Sequence, residues 1–300
     1  MLILAGGQGT RLRPLTDVYP KPLLYLPGGR VIDYLFAQVR KTGIRDVGIV
    51  VHHGADQVLD HIQAHAPPDL HITSIFQKPP YTLLGALASA SEWVCGSTLV
   101  LHGDNYFSFP LRHFVQLAAP EVATFLVDAS DALVPEPDLA ISGAYVLPPH
   151  VFRVAVEMAE ADNLTDLVDE LRRRAFPIFA VPAPGWRCNI NRPADLLDVN
   201  RYLLTHWTNA EHPLEQAVLG YNPIVLSWVA PNARVEESSI GIHVTVGHGT
   251  MVRHSRLRNT LVFPGVEVDG VDGENLILVD TPDELITVYV PDAHVSATLS

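Results

Sequence analysis

The chain opens on the apolar run Leu2-Ile3-Leu4-Ala5, which stops at Gly6-Gly7. That pattern predicts a buried strand running into a glycine turn. Residues 32–40 then carry apolar positions at helical spacing, Gly43 closes them, and the aliphatic run Val47-Gly48-Ile49-Val50-Val51 reads as a second strand. The cycle repeats with a helical pattern over 55–65, an extended one over 70–76, a helical one over 84–94 and a strand at Thr98-Leu99-Val100-Leu101-His102. Strands alternating with helices predict a Rossmann-like α/β domain, with a mostly parallel sheet and helices on both faces. In such a domain the functional groups belong at the carboxyl ends of the strands.

The texture changes after a helical stretch at 193–206. From about Val229 no amphipathic helix can be drawn, and aliphatic residues recur every six positions. Ile240-Gly241, Val246-Gly247 and Val252 mark the phase, Val244 and Thr250 follow the first two by four residues, and 229–234, 235–239 and 261–265 are looser copies. A short fixed period of this kind predicts a small left-handed parallel β-helix built from hexapeptide repeats. The expected division is a first domain over 1–208, and a linker, β-helix and tail over 209–300. A few coils leave end faces that need covering by the tail or by another subunit, so a homo-oligomer is expected.

Composition narrows the class. With 48% hydrophobic and 18% charged residues the chain is a globular protein. No apolar run reaches the ~18 residues of a membrane span, and no signal peptide opens the chain, so a cytoplasmic protein without a membrane partner is expected. The formal net charge of −13 excludes non-specific nucleic-acid binding, which needs a basic surface. Cys95 and Cys188 lie in apolar segments without close pairing, as structural thiols do. Anionic ligands must therefore be met by individual cations, backbone amides or a divalent metal.

The candidate chemistry begins with Leu4-Ala5-Gly6-Gly7-Gln8-Gly9-Thr10-Arg11-Leu12-Arg13-Pro14-Leu15-Thr16, followed by Pro20-Lys21-Pro22. Glycines after a buried strand let backbone amides approach a phosphate, and the arginines add fixed charge. The spacing is neither that of a Walker loop nor of a dinucleotide fingerprint. Further on, Leu101-His102-Gly103-Asp104-Asn105 ends a strand in a carboxylate suited to a hard cation, although Gly-Asp-Asn also serves as a plain turn.

Taken together, the glycine loop, the Thr-Arg-Leu-x-Pro-Leu-Thr continuation and the downstream Pro-Lys-Pro resemble the signature of the sugar-1-phosphate nucleotidyltransferase (NDP-sugar pyrophosphorylase) family. The resemblance covers most of residues 1–206, and the C-terminal period extends it to the long-form glucose-1-phosphate thymidylyltransferases. It implies that a nucleoside triphosphate and a sugar 1-phosphate are the substrates and that Mg²⁺ is the cofactor. Leu4, Gly6, Gly7, Gly9, Thr10 and Gly103 would then line the nucleotide, and Gln77 would pair with its base. Arg11 would hold the departing pyrophosphate, Lys21 the reacting phosphate, and Asp104 the metal. Ser142-Gly143-Ala144-Tyr145 resembles the strand along the sugar, giving Gly143 and Tyr145 as substrate residues. The stretch from Trp186 to Leu196 resembles the one supplying the second metal ligand, with Asn189 or Asn191 as candidates. Thr165 and Asp166 match a helix start and are expected to be structural.

Three departures stand out. Thr82 occupies the place of a glycine after Gln77, and Asn189 that of an aspartate. The Glu-Lys-Pro motif that would bring a lysine to the sugar phosphate is absent; Val134-Pro135-Glu136-Pro137 stands near its place, making Glu136 a substrate candidate and Lys78 or Arg187 substitute cations. These losses keep open a weakly active or regulatory homologue that partners through its β-helix. Acyl transfer by His243, His248 or His254 at the β-helix is a third possibility.

Overall fold

The computed structural model describes residues 1–128, 141–207, 214, 220–281 and 284–291. Its contacts divide the chain into two compact units, one of Met1–Gln8, Pro20–Pro22 and Leu35–Asn189, the other of Gly9–Tyr19, Leu23–Tyr34 and Ile190–Ser300. This division differs from a single boundary at 208, because two early segments belong with the C-terminal half.

The first unit is built on a seven-stranded sheet in the order Ile178–Pro182, Ala123–Val127, Ile141–Leu147, Thr98–His102, Leu2–Leu4, Asp46–Val51, His71–Phe76. The opening strand lies parallel between Asp46–Val51 and Thr98–His102, so its end and theirs form one lip. Ile141–Leu147 runs antiparallel to both neighbours. Leu2, Val50, Leu87, Val100, Phe125 and Phe152 are buried between sheet and helices, each worth about 1.5–3 kcal/mol over an exposed position.

The periodic segments form as expected, at Val31–Thr42, Ala55–His65 and Pro193–Thr205 for the helices. The helix expected over 84–94 is shorter, Leu83–Ser89. Its continuation turns so that Trp93 lies over Gly48 on the sheet, and burial of that ring outweighs another helical turn.

In the second unit short strands stack in parallel ladders. Trp228 pairs with Thr245, Thr245 with Leu261 and Leu261 with Ile277, so successive layers lie 17, 16 and 16 residues apart. Arg234, Met251 and Glu267 form a second column with the spacings 17 and 16. Three strict hexapeptides would give ~18 residues per layer. The columns bury Val246, Val252, Leu261, Val268 and Ile277 completely or nearly so. Leu285–Tyr289 closes the last layer as an antiparallel strand on Asp272–Asp280. The helix Pro193–Thr205 packs on these ladders, where buried Asn200 accepts from Thr245 Oγ1 at 2.6 Å.

Two aromatic residues from the early segments join the ladders. Tyr19 stacks on Phe263 with centroids 5.4 Å apart, Tyr25 meets both Trp228 and Phe263, and the Arg30 guanidinium lies over Tyr19 and Tyr25. The segment following the glycine turn is therefore seated on the C-terminal strands. Among the described residues no helix is long and apolar enough to cross a membrane. Cys95 is exposed and Cys188 half-buried, so neither is the core thiol its apolar surroundings suggest.

Candidate active site

The lip formed by the Leu2–Leu4, Asp46–Val51 and Thr98–His102 strands is tied together by backbone hydrogen bonds. Gly103 N–H donates to the Leu4 carbonyl at 2.8 Å, and Ala5 N–H to the Val50 carbonyl at 2.8 Å. Asp104 stands just beyond this lip. Lys21 Nζ donates to Asp104 Oδ2 across 83 residues of sequence. Lys21 is the one charged side chain among the described residues that is buried. An ammonium in that position is held by its carboxylate, since an unpaired buried charge is strongly unfavourable.

Asn105 completes the arrangement and is a residue that sequence reasoning passed over, although it stands in the same Gly-Asp-Asn. Its Nδ2 donates to Asp104 Oδ1 at 2.8 Å. Asn105 opens the strand Asn105–Phe107, which pairs antiparallel with Arg187–Asn189, so that Asn189 lies directly opposite Asn105. Directly opposed residues of an antiparallel pair present side chains to the same face. Both Oδ1 atoms, of Asn105 and of Asn189, are buried without a hydrogen-bond partner. One carboxylate with two unpaired amide oxygens is an all-oxygen donor set, which fits Mg²⁺ and carries a single negative charge. No group of three His, Cys, Asp or Glu side chains gathers as a metal site among the described residues. Asn191 belongs to the second unit, and its N–H donates to Asp195 Oδ2 at 2.8 Å in the cap of helix Pro193–Thr205.

At the glycine turn, a Cβ on Gly6 would stand 2.9 Å from Gln77 Oε1 and 3.1 Å from the His52 Cβ, whereas nothing lies within 4 Å of one on Gly7. Gly6 is thus fixed by packing, and Gly7 leaves its backbone open to a ligand. Gln77 Nε2 donates to the Thr82 carbonyl at 2.8 Å, which leaves Oε1 as the end facing Gly6. Tyr81, exposed, stacks flat on His52 at 3.8 Å beside it. Thr82 caps helix Leu83–Ser89, its Oγ1 accepting from Gly85 N–H at 2.9 Å. The threonine thus has a local structural use. Gly6→Ala is expected to push the Gln77 amide aside and to weaken nucleotide binding about tenfold, the worth of one good hydrogen bond. Calorimetric titration with nucleoside triphosphates measures it, and unchanged affinity would separate Gln77 from the ligand.

Gly9, Thr10 and Arg11 belong to the second unit, on the short turn Thr10–Leu12. Arg13 is paired with Asp17 at 3.1 Å, while Arg11 is exposed.

The expected sugar side is organised differently. Tyr145 is completely buried. Strand alternation turns it into the core, against Phe125 and toward His102, whose Nε2 lies 3.1 Å from its hydroxyl. Burial lowers the His102 imidazole below its ordinary value against the pull of the Asp104 charge, and burial with Asp104 pushes the Tyr145 hydroxyl far up. Both are therefore neutral at physiological pH. Gly143, at φ +70°, packs against Asn105. Arg187 forms a two-pronged ion pair with Asp128 at 2.7 and 2.6 Å, and Ser142 Oγ donates to the same carboxylate at 3.2 Å. Its charge is thereby committed, a pairing that no local signal announces. Lys78 is exposed, and Glu136 lies outside the described residues. The three C-terminal histidines do not converge: His243 pairs with Thr205, His248 with Asn232 and His254 with Asp269.

The chain is similar to known proteins in sequence and in fold. The sequence profile of the family described as nucleotidyl transferase matches residues 1–136. The low-salt glycan biosynthesis nucleotidyltransferase Agl11 of Haloferax volcanii is 27% identical over 234 residues, covering 68% of this chain, which spans 65% of the relative's length. A glucose-1-phosphate thymidylyltransferase of Streptomyces antibioticus is 28% identical over 293 residues, covering 87% of this chain and 77% of the relative. The UDP-glucose pyrophosphorylase structure from Acinetobacter baumanii superposes with a TM-score of 0.57 at 18% identity, over 73% of this chain and 96% of that one, and so shares the fold. Residues 1–136 are thus similar to the nucleotidyl transferase family.

Proposed function

We propose that the protein transfers a nucleotidyl group from a nucleoside triphosphate to a sugar 1-phosphate or a similar small phosphate ester. An oxygen of the acceptor phosphate attacks the α-phosphorus, the bond from that phosphorus to the β-phosphate oxygen breaks, and pyrophosphate leaves. The observation that carries this reading is the buried Lys21–Asp104 pair at the lip of the central strands, in the same unit as the open backbone of Gly7.

No side chain needs to act as a nucleophile here, because the acceptor phosphate already carries the attacking oxygen. The protein's task is to position two anions and stabilise the charge that builds between them. Lys21 directs a fixed ammonium at that charge, and the amides around Gly6 and Gly7 seat the phosphates. Asp104 with Asn189 would hold Mg²⁺, which when bound neutralises phosphate oxygens. The C-terminal ladders are read as a short left-handed β-helix supporting a homo-oligomer, and the enzyme as cytoplasmic.

Gln77 offers the base an acceptor, since its amide group donates to the Thr82 carbonyl at 2.8 Å and the Pro80 carbonyl at 3.5 Å. Uracil, thymine and guanine present a ring N–H to an acceptor, whereas cytosine and adenine present a lone pair. Uridine, thymidine or guanosine triphosphate should therefore exceed cytidine triphosphate by about tenfold or more in kcat/KM. Equal use of the cytidine nucleotide would remove Gln77 as the selecting group.

A second reading, nucleotide binding without turnover, is favoured by one observation: the Arg187 charge is satisfied by Asp128. Pyrophosphate release with Mg²⁺, measured across the nucleoside triphosphates and a panel of sugar 1-phosphates, decides between them. Release with at least one pair supports the enzyme, and binding with no release from any pair supports the regulatory protein.

A further inference from the structure

We propose that Asn105 is a positioning residue for Asp104, and that its amide oxygen is a further neutral acceptor for the cation at this site. The proposal rests on the nucleotidyl-transfer reading above and deepens it.

Three independent features converge on this one amide. Asn105 is completely buried at the head of a strand whose other members, Tyr106 and Phe107, are apolar core residues. A polar side chain there must earn its place through its hydrogen bonds, and half of its capacity is unused: Nδ2 is on Asp104, while Oδ1 has no partner. The neighbouring strand is shaped to admit it. A Cβ on Gly143 would stand 2.5–2.7 Å from Nδ2, Cγ and Oδ1 of Asn105, and Gly143 takes a φ of +70° that a side chain disfavours. Finally, the residue opposite Asn105 in the antiparallel pair is Asn189, with the same orphaned oxygen.

Two hands therefore hold the Asp104 carboxylate, Lys21 on Oδ2 and Asn105 on Oδ1. Fixing both oxygens sets the plane of the carboxylate before any ligand arrives, which is how outer groups orient a metal ligand. A purely structural buried asparagine normally has its acceptor satisfied. The pair of unpaired amide oxygens beside a single carboxylate instead suits a hard divalent cation that brings its own charge balance from a polyphosphate.

The test is binding of Mn²⁺ to the full chain, followed by electron paramagnetic resonance, alongside kcat and KM for pyrophosphate release. Asn105→Leu should weaken Mn²⁺ binding about tenfold or more and lower kcat more than the nucleotide KM. Gly143→Ala removes no polar group yet displaces the amide, so it should show the same pattern. Asn105→Asp loses the donor to Asp104 but keeps an oxygen facing the cation, so its Mn²⁺ affinity should exceed that of Asn105→Leu; a packing role alone would make it the worst of the three. Folding of each variant is followed by circular dichroism. Folded Asn105→Leu and Gly143→Ala proteins with unchanged Mn²⁺ affinity overturn the proposal while leaving nucleotidyl transfer standing, provided Asp104→Asn abolishes binding. If Asp104→Asn also leaves Mn²⁺ binding intact, the cation site and this role for Asn105 fall together.

Discussion

Replacing Asp104 with asparagine is expected to slow pyrophosphate release by about a thousandfold or more, with the fold retained. The carboxylate is the single negative charge of the donor set, flanked by the neutral amides of Asn105 and Asn189. Removing it leaves nothing but amides to hold a divalent cation, and also leaves the buried Lys21 ammonium with a neutral partner. An asparagine keeps the shape and an acceptor oxygen for Lys21, so the cost in stability is about 1–3 kcal/mol, that of weakening one charge-assisted hydrogen bond. Initial rates at saturating Mg²⁺, with a thermal melt of the same preparation, separate the two effects. A rate within tenfold of the unaltered protein would show that this carboxylate is not at the reacting centre.

Trp228→Ala should be the most damaging change to the second unit, costing about 3–5 kcal/mol. The indole is completely buried between the ladders, with Tyr25 at 6.4 Å and His248 at 5.6 Å between ring centroids. Its loss opens a cavity that stiff parallel ladders relax into poorly. Tyr19, stacked on Phe263 in the same compact unit, should loosen with it. Denaturant unfolding followed by circular dichroism should show the loss. A loss below about 1 kcal/mol would mean that the ladders do not depend on this ring.

Several site residues were legible before any fold was known, for a physical reason. Strand termination at glycine, helical spacing and a short repeat are local patterns, and each is written within a dozen residues. Asp104 could be placed at a strand end because Thr98–His102 is an unbroken β-forming run before Gly103, and the Gly6-Gly7 turn because four apolar residues precede it. Thr82 departs from the family pattern in the sequence, and the structure gives it a use as a helix cap.

What the chain's own order of residues determined is therefore the alternating strands and helices up to His102, the two glycine-ended strands and the identity of Lys21 and Asp104 as charged groups of the signature. Tertiary structure alone decided which of these meet. The 83-residue span from Lys21 to Asp104, the seating of Asn105 on Gly143, the inward turn of Tyr145 and the capture of Arg187 by Asp128 all depend on strand register and on which segments close against each other. Register moves a side chain from one face of a sheet to the other in a single step, so no local pattern can tell a buried tyrosine from one that lines a substrate.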